Sequence, residues 1–364
     1  MKKIFTVIGA RPQFIKASVV SHAISEKADL QEVVVHTGQH YDANMSDVFF
    51  NELGMRPPDY NLEIGGGGHG QMTGRMLTEL ERVMLDERPD VVLVYGDTNS
   101  TLAGALSAAK LHIPVAHVEA GLRSFNMKMP EEINRILTDR ISSWLFTPTE
   151  AAACHLRREG MDEASIIPVG DVMYDVALQH GSRLQADERV LQRMGVAPKS
   201  YALVTVHRAE NTDDPNRLAV IVEALKQVTL SLPIIWPLHP RTRHALLRSG
   251  ALPTGRAHFH LIDPVGYLDM VQLEKYAAVI ATDSGGVQKE AFFHSVPCVT
   301  LRDETEWVEL VEAGWNRLVS FESISCVAEA VVDAVGSRGS CIAPYGDGTA
   351  AHKISCLLVG VSLY

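Results

Sequence analysis

The sequence contains few cysteines, and those it has form no pattern. There are five among 364 residues, an odd number, and they are widely spaced. With no CxxC pair and no disulfide framework, the sequence predicts neither a zinc site nor a cross-linked secreted domain. Scattered thiols of this kind are typical of a reducing compartment, and we expect a cytoplasmic protein.

Long apolar runs are also missing. Nothing in the sequence approaches the roughly 18 to 20 apolar residues that a membrane helix requires. The apolar run near the amino terminus is about half as long as the hydrophobic part of a signal peptide, and it breaks at Arg11 and Pro12. We therefore interpret it as a first strand and expect no membrane partner.

Positive charge is scarce as well. The chain has 33 Lys and Arg against 44 Asp and Glu, a formal net charge of −11. A nucleic acid or an anionic membrane would need a basic surface, so neither is an expected partner. A phosphorylated ligand would require a locally basic site on this acidic protein.

What the chain does contain is an alternation of short Val/Ile-rich runs with longer helix-like segments. The candidate strands are at residues 3–8, 32–36, 90–95, 114–118, 144–147, 165–169, 201–206, 233–237, 259–262, 278–282, 297–301 and 317–320. This alternation predicts βαβ units and parallel sheets. The predicted fold class is α/β, with two Rossmann-like domains whose parallel sheets face a cleft, the expected ligand site.

The predicted domains follow from the same pattern. The first is at residues 1–170 and the second at 200–345, because each contains its own series of strands. Residues 171–199 are polar and helical without a strand signal, which predicts the crossing between domains. Residues 346–364 form a loop followed by a final helix.

Three carboxylates stand near predicted strand ends or at the start of a helix. Asp97 and Glu119 each follow an apolar strand, and Glu131 lies in a Pro-Glu-Glu sequence that opens a helix. Ligands of open α/β sheets bind beyond the carboxyl ends of the strands, so these acids are expected to converge on one site. Either Glu131 or its neighbour Glu132 could be the residue that faces the ligand.

The second half contains a contiguous candidate for an anion site. Ser284, Gly285 and Gly286 directly follow the strand at 278–282. Ser284 can cap the next helix, and the two glycines leave backbone N–H groups open to an anionic diphosphate. Glu290, about 9 Å further along the helix axis, could bind both hydroxyls of a ribose. Alternatively, Ser-Gly-Gly only starts a helix and Glu290 is an exposed helical acid.

Basic and histidine side chains complete the set of candidates. Arg11 follows the first strand and suits phosphate oxygens, although a surface arginine beside Pro12 explains the spacing equally well. Lys16 lies on the helix that follows. His207 and His239 follow consecutive strands of the second half, and histidine can transfer protons or hold phosphate near neutral pH. No HxH or HExxH pattern is present, so no metal site is expected.

Several blocks together resemble the non-hydrolysing UDP-N-acetylglucosamine 2-epimerases. The blocks are GARP at 9–12, GDT at 96–98, HVEAGLR at 117–123, PEEINR at 130–135, TVHR at 205–208, DSGGVQKE at 283–290 and GDG at 346–348. They run in order along almost the whole chain, and HVEAGLR and PEExNR are specific. The resemblance implies a glycosyltransferase-B fold, a homodimer, and a last helix that returns to the first domain.

The same resemblance implies inversion at C2 of a UDP-linked 2-acetamido sugar. UDP leaves C1, C2 loses its proton to give a 2-acetamidoglucal, and readdition from the other face completes the epimerisation without a cofactor. The implied catalytic residues are Asp97, Glu119, Glu131 and His207. The implied residues for binding UDP and the sugar are Arg11, Lys16, Arg135, His239, Ser284, Gly285, Gly286, Glu290 and Arg302.

Some segments depart from the family. QHxxML, which in several relatives binds a second, activating UDP-GlcNAc, becomes QHYDANMS at 39–46, so allosteric activation is not expected. The segments at 70–75, 207–211 and 302–309 look like the subgroup that acts on UDP-2,3-diacetamido-2,3-dideoxyglucuronate. An arginine such as Arg208 or Arg302 would serve the carboxylate of that substrate.

Two other classes of protein compete with the epimerase. A glycosyltransferase of the same fold would need an acceptor and typically uses one base rather than three acids. A non-catalytic UDP-sugar-binding protein would not need Asp97, Glu119 and Glu131 as acids.

Overall fold

The computed structural model describes residues 1–39, 53–183, 189–253, 255 and 258–360, without the side chains of Arg11, Ser182, Arg183 and Arg189. The chain forms two compact units. The first unit consists of Met1–Val176 and Ala343–Tyr364, and the second consists of Ala177–Ile342. Each unit contains one sheet, in which the neighbouring strands are parallel.

The sheet of the first unit has the strand order β3-β2-β1-β4-β5-β6-β7. Its strands are β1 (Lys2–Ile8), β2 (Leu30–His36), β3 (Tyr60–Asn61), β4 (Val91–Tyr95), β5 (Val115–Val118), β6 (Trp144–Thr147) and β7 (Ile166–Pro168). The strand order reverses between β1 and β4. Open α/β sheets bind ligands beyond the carboxyl ends of the strands at such a reversal.

Helices alternate with these strands. They are α1 (Arg11–Ser25), α2 (His69–Glu87), α3 (Asn99–Lys110), α4 (Pro130–Ile141), α5 (Glu150–Arg158) and α6 (Val172–Arg183). All five residues of β4 are buried, as expected for a central strand covered on both faces. Helix α3 packs closely on β1, because a Cβ at Gly104 would lie only 3.1 Å from the side chain of Val7.

The second unit repeats this architecture with the strand order β10-β9-β8-β11-β12-β13. Its strands are β8 (Ala202–Thr205), β9 (Ile234–Pro237), β10 (Phe259–Ile262), β11 (Val279–Thr282), β12 (Cys298–Thr300) and β13 (Asn316–Leu318). Its helices are α7 (Arg189–Met194), α8 (Ala209–Thr212), α9 (Pro215–Val228), α10 (Pro240–Ser249), α11 (Tyr267–Lys275), α12 (Gly285–Phe293), α13 (Val308–Glu312) and α14 (Ile324–Ala334). The strand order reverses between β8 and β11.

The last helix, α15 (Ala350–Gly360), belongs to the first unit, where it packs against α1. Lys2 Nζ donates to the Val359 carbonyl at 2.7 Å. At the other end of α15, Asp175 Oδ2 accepts a hydrogen bond from the backbone N–H of Ala351 at 2.7 Å. The helix is therefore fixed at both ends by residues from distant parts of the chain.

The predicted α/β class with two parallel sheets is confirmed. Each of the predicted strands is present, with bounds that differ by a few residues at most. Strand β3 (Tyr60–Asn61) was not predicted, because two residues that follow two prolines carry no strand pattern. Among the described residues, no helix is long and apolar enough to cross a membrane.

Candidate active site

A first group of side chains, the acid cluster, lies where the strand order of the first sheet reverses. It consists of Lys16, Asp97, Glu119 and Arg135. Asp97 and Glu119 follow the neighbouring strands β4 and β5, and Lys16 is on the helix that follows β1. A Cβ at Gly96 would lie 3.3 Å from Glu119 Oε2 and 3.6 Å from Lys16 Nζ. The backbone just before Asp97 is therefore in contact with the other acid and its cation.

Each acid of this cluster is paired with a cation. Lys16 Nζ contacts Glu119 Oε2, and Arg135 Nη2 contacts Asp97 Oδ2. The side chains of Lys16 and Glu119 are only 12% and 10% exposed. Glu119 also has a left-handed backbone with φ of 73°, which costs about 1–3 kcal/mol for a residue other than glycine. Strain of this kind is typical of functional sites, where the surrounding fold imposes the conformation.

Helix α4 brings two side chains to the turn that contains Asp97. Asn134 Nδ2 donates to the Asp97 carbonyl at 2.9 Å, and Arg135 Nη1 donates to Glu132 Oε2 at 2.7 Å. Burial alone would lower the pKa of Arg135, but the carboxylates of Asp97, Glu132 and Glu119 raise it. The guanidinium therefore stays charged while it faces three acids.

The structure distinguishes Glu131 from Glu132. Glu132 is 1% exposed and accepts hydrogen bonds from Ser124 N, Ser124 Oγ and Phe125 N at 2.9, 3.0 and 2.9 Å. Burial would raise its pKa, but these hydrogen bonds and Arg135 lower it. Glu131 is exposed in the first turn of α4, and within the described residues no hydrogen bond or ion pair joins it to the acid cluster. Glu132 holds the loop at residues 124–125, whereas Glu131 is exposed, so the prediction that Glu131 faces the ligand is the one this geometry favours.

The second group of side chains, the helix-start cluster, lies where the strand order of the second sheet reverses. It consists of His207 after β8 and of Asp283, Ser284, Gly285 and Gly286 after β11. Ser284 caps α12, as predicted, because its hydroxyl accepts from the N–H three residues later at 3.4 Å. The two glycines form the first turn of α12, where backbone N–H groups and the helix dipole favour an anion.

Glu290 lies on the same helix and is 8% exposed. The alternative that it is an exposed helical acid is therefore wrong. Three residues before it, the N–H of Val287 donates to the Ser284 hydroxyl, so the first turn of α12 and Glu290 belong to one short helix.

An unpredicted carboxylate also reaches the start of α12. Glu306 Oε1 lies so close to Gly285 that a Cβ there would be 2.2 Å away. Arg302, 5% exposed, donates from Nη1 to Glu306 Oε2 at 2.7 Å, and Arg208 Nη2 lies 3.8 Å from Oε1. Burial would raise the pKa of Glu306, but Arg302 and Arg208 lower it. Arg302, predicted to bind the substrate, thus lies near the helix start, where it is held by an acid that the sequence pattern did not single out.

His207 is held by a buried aspartate that sequence reasoning gave no separate role. Asp283 is 0% exposed and accepts from the N–H of His207 and of Arg208 at 3.0 Å, and from Asn211 Nδ2 at 2.9 Å. Its Oδ1 lies 3.2 Å from His207 Nδ1. Burial would raise the pKa of Asp283, but His207 and these hydrogen bonds lower it. The ring of His239 lies 5.5 Å from that of His207, so the structure brings both predicted histidines together.

Two predictions fall outside the part of the chain that the structure describes. The side chain of Arg11 is one, although its backbone begins α1. The other is the segment at 40–46, which departs from the family pattern.

Comparison with known proteins gives consistent matches over most of the chain. The profile of the UDP-N-acetylglucosamine 2-epimerase family matches residues 22–359. A Pseudomonas aeruginosa UDP-2,3-diacetamido-2,3-dideoxy-D-glucuronate 2-epimerase is 59% identical over 87% of this chain and 88% of its own.

Solved structures match with the same consistency. The Methanocaldococcus jannaschii UDP-GlcNAc 2-epimerase in complex with UDP-GlcNAc and UDP is 45% identical, with a TM-score of 0.89 over 99% of this chain and 100% of that one. The Neisseria meningitidis enzyme bound to UDP-GlcNAc is 30% identical, with a TM-score of 0.90 over 99% and 100%. These matches place the chain among the isomerases of UDP-linked sugars. It belongs to the UDP-N-acetylglucosamine 2-epimerase family.

Proposed function

We propose that the protein inverts C2 of a UDP-linked 2-acetamido sugar by eliminating UDP and adding it back. The C1–O bond to UDP breaks and C2 gives up its proton, which leaves a 2-acetamidoglucal and UDP. Readdition forms the C1–O bond again and returns a proton to C2 from the opposite face. The observation that carries this proposal is the acid cluster, in which two ion-paired acids stand at the strand-order reversal of a family member.

The proton carriers in this proposal are Asp97, Glu119 and Glu131. Removal and return of the C2 proton require two groups on opposite faces of the ring, each within hydrogen-bond reach of C2 or of an intervening water. Lys16 and Arg135 fix the directions of Glu119 and Asp97 through these ion pairs. Glu131, exposed and without a cation partner in the described residues, is the acid with most freedom to follow the substrate.

The helix-start cluster is the proposed UDP site. The N–H groups of Gly285 and Gly286 would stabilise the diphosphate both when bound and when it leaves with additional negative charge. His207, held through Nδ1 by Asp283, would donate from its other ring nitrogen to the departing phosphate. Glu290 would accept from the ribose hydroxyls. Arg11 and His239 are proposed as further contacts to UDP.

We propose UDP-2,3-diacetamido-2,3-dideoxyglucuronate as the substrate, with UDP-GlcNAc as the competing candidate. The relative named for the first activity is 59% identical, against 45% for the Methanocaldococcus UDP-GlcNAc enzyme. The uronate carries an additional carboxylate that needs a cation. Arg302 suits it, because its Nε has no hydrogen-bond partner in the described part of the chain.

The test offers both sugars to the purified protein in D2O without any acceptor. We expect deuterium at C2 of both epimers, and faster turnover of the diacetamido uronate. Absence of label from C2 with both sugars would contradict the epimerase mechanism. Faster turnover of UDP-GlcNAc would leave the mechanism standing and contradict the substrate assignment.

We also propose that the protein is a homodimer, and one face of the first unit supports this. Four large apolar side chains are exposed on and beside α4, namely Phe125 (74%), Met127 (60%), Ile133 (41%) and Leu137 (47%). Ile133 and Leu137 are four residues apart, so they lie on the same face of the helix. Exposed apolar side chains on a helix face support a subunit interface there. Sedimentation of the purified protein tests this proposal, with Leu137→Glu expected to favour the monomer.

The cytoplasmic location also stays a proposal. All five cysteines are free thiols in the structure, and Cys326, Cys341 and Cys356 are exposed. Exposed free thiols are typical of proteins from reducing compartments. Cell fractionation with a tagged full chain tests the location.

A further inference from the structure

A buried histidine and a buried aspartate lie behind the acid cluster. His117 is on β5 and Asp139 is on α4, and they are 0% and 1% exposed. Neither side chain faces solvent, and neither belongs to the groups proposed above to touch the sugar or UDP. Two ionisable side chains in such a position need a structural or a functional explanation, since burial without partners is costly.

One carboxylate oxygen of Asp139 is linked through His117 to the turn that contains Asp97. Asp139 Oδ1 lies 2.7 Å from His117 Nδ1, and His117 Nε2 lies 2.7 Å from the carbonyl oxygen of Gly96. A carbonyl oxygen can only accept, so Nε2 is the donor of that bond. Gly96 immediately precedes Asp97 and has a φ of 63°, so its carbonyl direction sets the path of the chain into the acid.

The other carboxylate oxygen reaches the turn that contains Glu119. Asp139 Oδ2 accepts from the backbone N–H of Gly121 at 3.1 Å and from Arg123 Nη1 at 2.7 Å. Arg123 in turn donates from Nε and Nη2 to Glu159, each at 2.7 Å. Burial would lower the pKa of Arg123, but Glu159 and Asp139 raise it, so this cation stays charged beside Asp139.

The turn at Gly121 has no room to shift. Gly121 has a φ of 81°, and a Cβ there would lie 2.4 Å from the carbonyl oxygen of Ala152. The backbone of α5 therefore closes the turn on one side, and Asp139 holds it on the other. A change at Asp139 is transmitted to the neighbouring residues rather than absorbed by a loose loop.

We propose that Asp139 and His117 are positioning residues that set the spacing between Asp97 and Glu119. The Asp139 carboxylate is bonded directly to the Gly121 turn and, through His117, to the Gly96 carbonyl, so the two acids have a common reference point inside the fold. This inference rests on the proposed function, because the spacing matters only if both acids act on one sugar ring. Misplacement of a reacting group by about 1 Å can reduce the rate roughly 100-fold.

The central variants are a matched pair at His117. In His117→Gln the amide nitrogen can take the place of Nε2 and still donate to the Gly96 carbonyl. In His117→Asn the shorter side chain can take the place of Nδ1 and reach Asp139, but not Gly96. The two replacements differ by one methylene, so urea unfolding of both variants measures what packing alone loses, and a purely structural role predicts turnover losses that follow those stability losses. Positioning predicts that His117→Gln retains far more turnover per UDP-binding site than His117→Asn.

Asp139→Asn extends the test to both turns. Asparagine keeps one acceptor and replaces the other with a donor, which is unfavourable opposite the donors of Gly121 and Arg123 and, opposite His117, requires Nδ1 to accept a hydrogen bond. We expect kcat to fall roughly 100-fold, with unchanged UDP affinity and with more free UDP and unsaturated sugar released per epimerisation. Asp90→Asn is the control, because Asp90 accepts from Lys3 N at 2.7 Å at the opposite end of β4. We expect its kcat per UDP-binding site to equal that of the wild type.

The outcomes separate the two proposals. If the wild-type protein exchanges no deuterium into C2, the proposed function fails, and the positioning role fails with it. If the wild type exchanges but His117→Gln and His117→Asn lose equal turnover per UDP-binding site, the function stands and positioning is wrong. If Asp139→Asn does not fold, the His117 pair decides the question alone.

Discussion

The acid cluster and the helix-start cluster occupy the same topological position in two sheets, yet they are built in opposite ways. In the first unit, Asp97 and Glu119 are side-chain acids that need cations from distant helices, Arg135 and Lys16. In the second, the groups proposed to bind an anion are backbone N–H groups of one continuous segment, capped by Ser284. In the proposed function, one strand order therefore supports proton transfer by side chains in one unit and anion binding by the backbone in the other.

The difference extends to how each cluster compensates its charges. In the acid cluster, Lys16 pairs with Glu119, and Arg135 is shared between Asp97 and Glu132. The proposed proton transfer would therefore take place beside two fixed cations. Glu306 lies against the start of α12 and is held by Arg302 at 2.7 Å. A diphosphate that binds there, as proposed, must share Arg302 and Arg208 with Glu306 or displace its carboxylate.

The largest expected effect separates catalysis from UDP binding. Asp97→Asn, Glu119→Gln and Glu131→Gln should each lower kcat by about 10²- to 10⁴-fold, the usual contribution of a proton-transferring group. UDP affinity should remain nearly unchanged, because the proposed UDP site uses other residues. Steady-state kinetics and UDP titration calorimetry measure the two quantities. Glu81→Gln, an exposed position on α2, is the control.

If UDP affinity falls together with kcat in these three variants, the proposed division of roles between the two clusters is contradicted. The acids would then be structural parts of the nucleotide site.

The second expected effect is an opposite response of the two units to acid. Burial raises the pKa of Asp175 in the first unit from 3.8 to about 6, in spite of hydrogen bonds from the N–H groups of Ala351 and Ala350. The folded unit therefore holds this proton more tightly than the unfolded chain does. The stability that protonation of Asp175 contributes is fully present below pH 3.8 and is lost as the pH rises through about 6, a change of about 3 kcal/mol.

In the second unit, burial lowers the pKa of His294 from 6.5 to about 4, and Lys275 and Lys199 lower it further. The stability that neutral His294 contributes to the folded unit is fully present above pH 6.5 and is lost as the pH falls toward 4. The change is again on the order of 3 kcal/mol. Amide hydrogen exchange between pH 4 and 7, corrected for intrinsic exchange rates, measures the stability of each unit from peptides that belong to that unit. Asp175→Asn should reduce the pH dependence of stability in the first unit only. His294→Gln should reduce it in the second unit only. Equal trends in both variants would show that other groups control the pH dependence.

A smaller effect is expected at Glu290. Glu290→Gln replaces a charged acceptor for ribose hydroxyls and should weaken UDP binding by roughly 10- to 100-fold, the value of a hydrogen bond to a charged group. The kcat at saturation should change little, in contrast to the acid variants. Glu329→Gln, on the exposed side of α14, is the control. Unchanged UDP affinity would contradict the ribose assignment.

The smallest effect is expected at the helix cap. Ser284→Ala removes the hydroxyl that accepts from Val287 N and should lower the stability of the second unit by about 1 kcal/mol. Ser284→Thr keeps the hydroxyl and should stay close to the wild type. Urea unfolding followed by hydrogen exchange of α12 measures the difference. A loss of equal size in Ser284→Thr would point to packing rather than capping.

The sequence was sufficient for the sheets and for the helix-start cluster, since both depend on local patterns. Apolar runs mark the strands, and Ser284 to Glu290 is one continuous block. The ion pairs could not be predicted, because Lys16 and Glu119 are 103 residues apart and Arg135 and Asp97 are 38 apart. Contacts of that separation are fixed by packing of whole helices.

The same limit explains the choice between Glu131 and Glu132. Adjacent residues at a helix start point in different directions, and only the position of the 124–125 loop determines which one is buried. The role of Asp139 could not be predicted for the same reason. Asp139, on α4, bonds directly to the Gly121 turn and through His117 to the Gly96 turn.

The return of α15 to the first unit has a consequence for the order in which the protein is made. The second unit, Ala177–Ile342, is one uninterrupted stretch of chain, so all its parts are present before α15 is synthesised. The first unit carries the acid cluster but receives α15 only after the second unit has been synthesised. The unit that carries the proposed UDP site can therefore assemble while the unit that carries the acids is still incomplete.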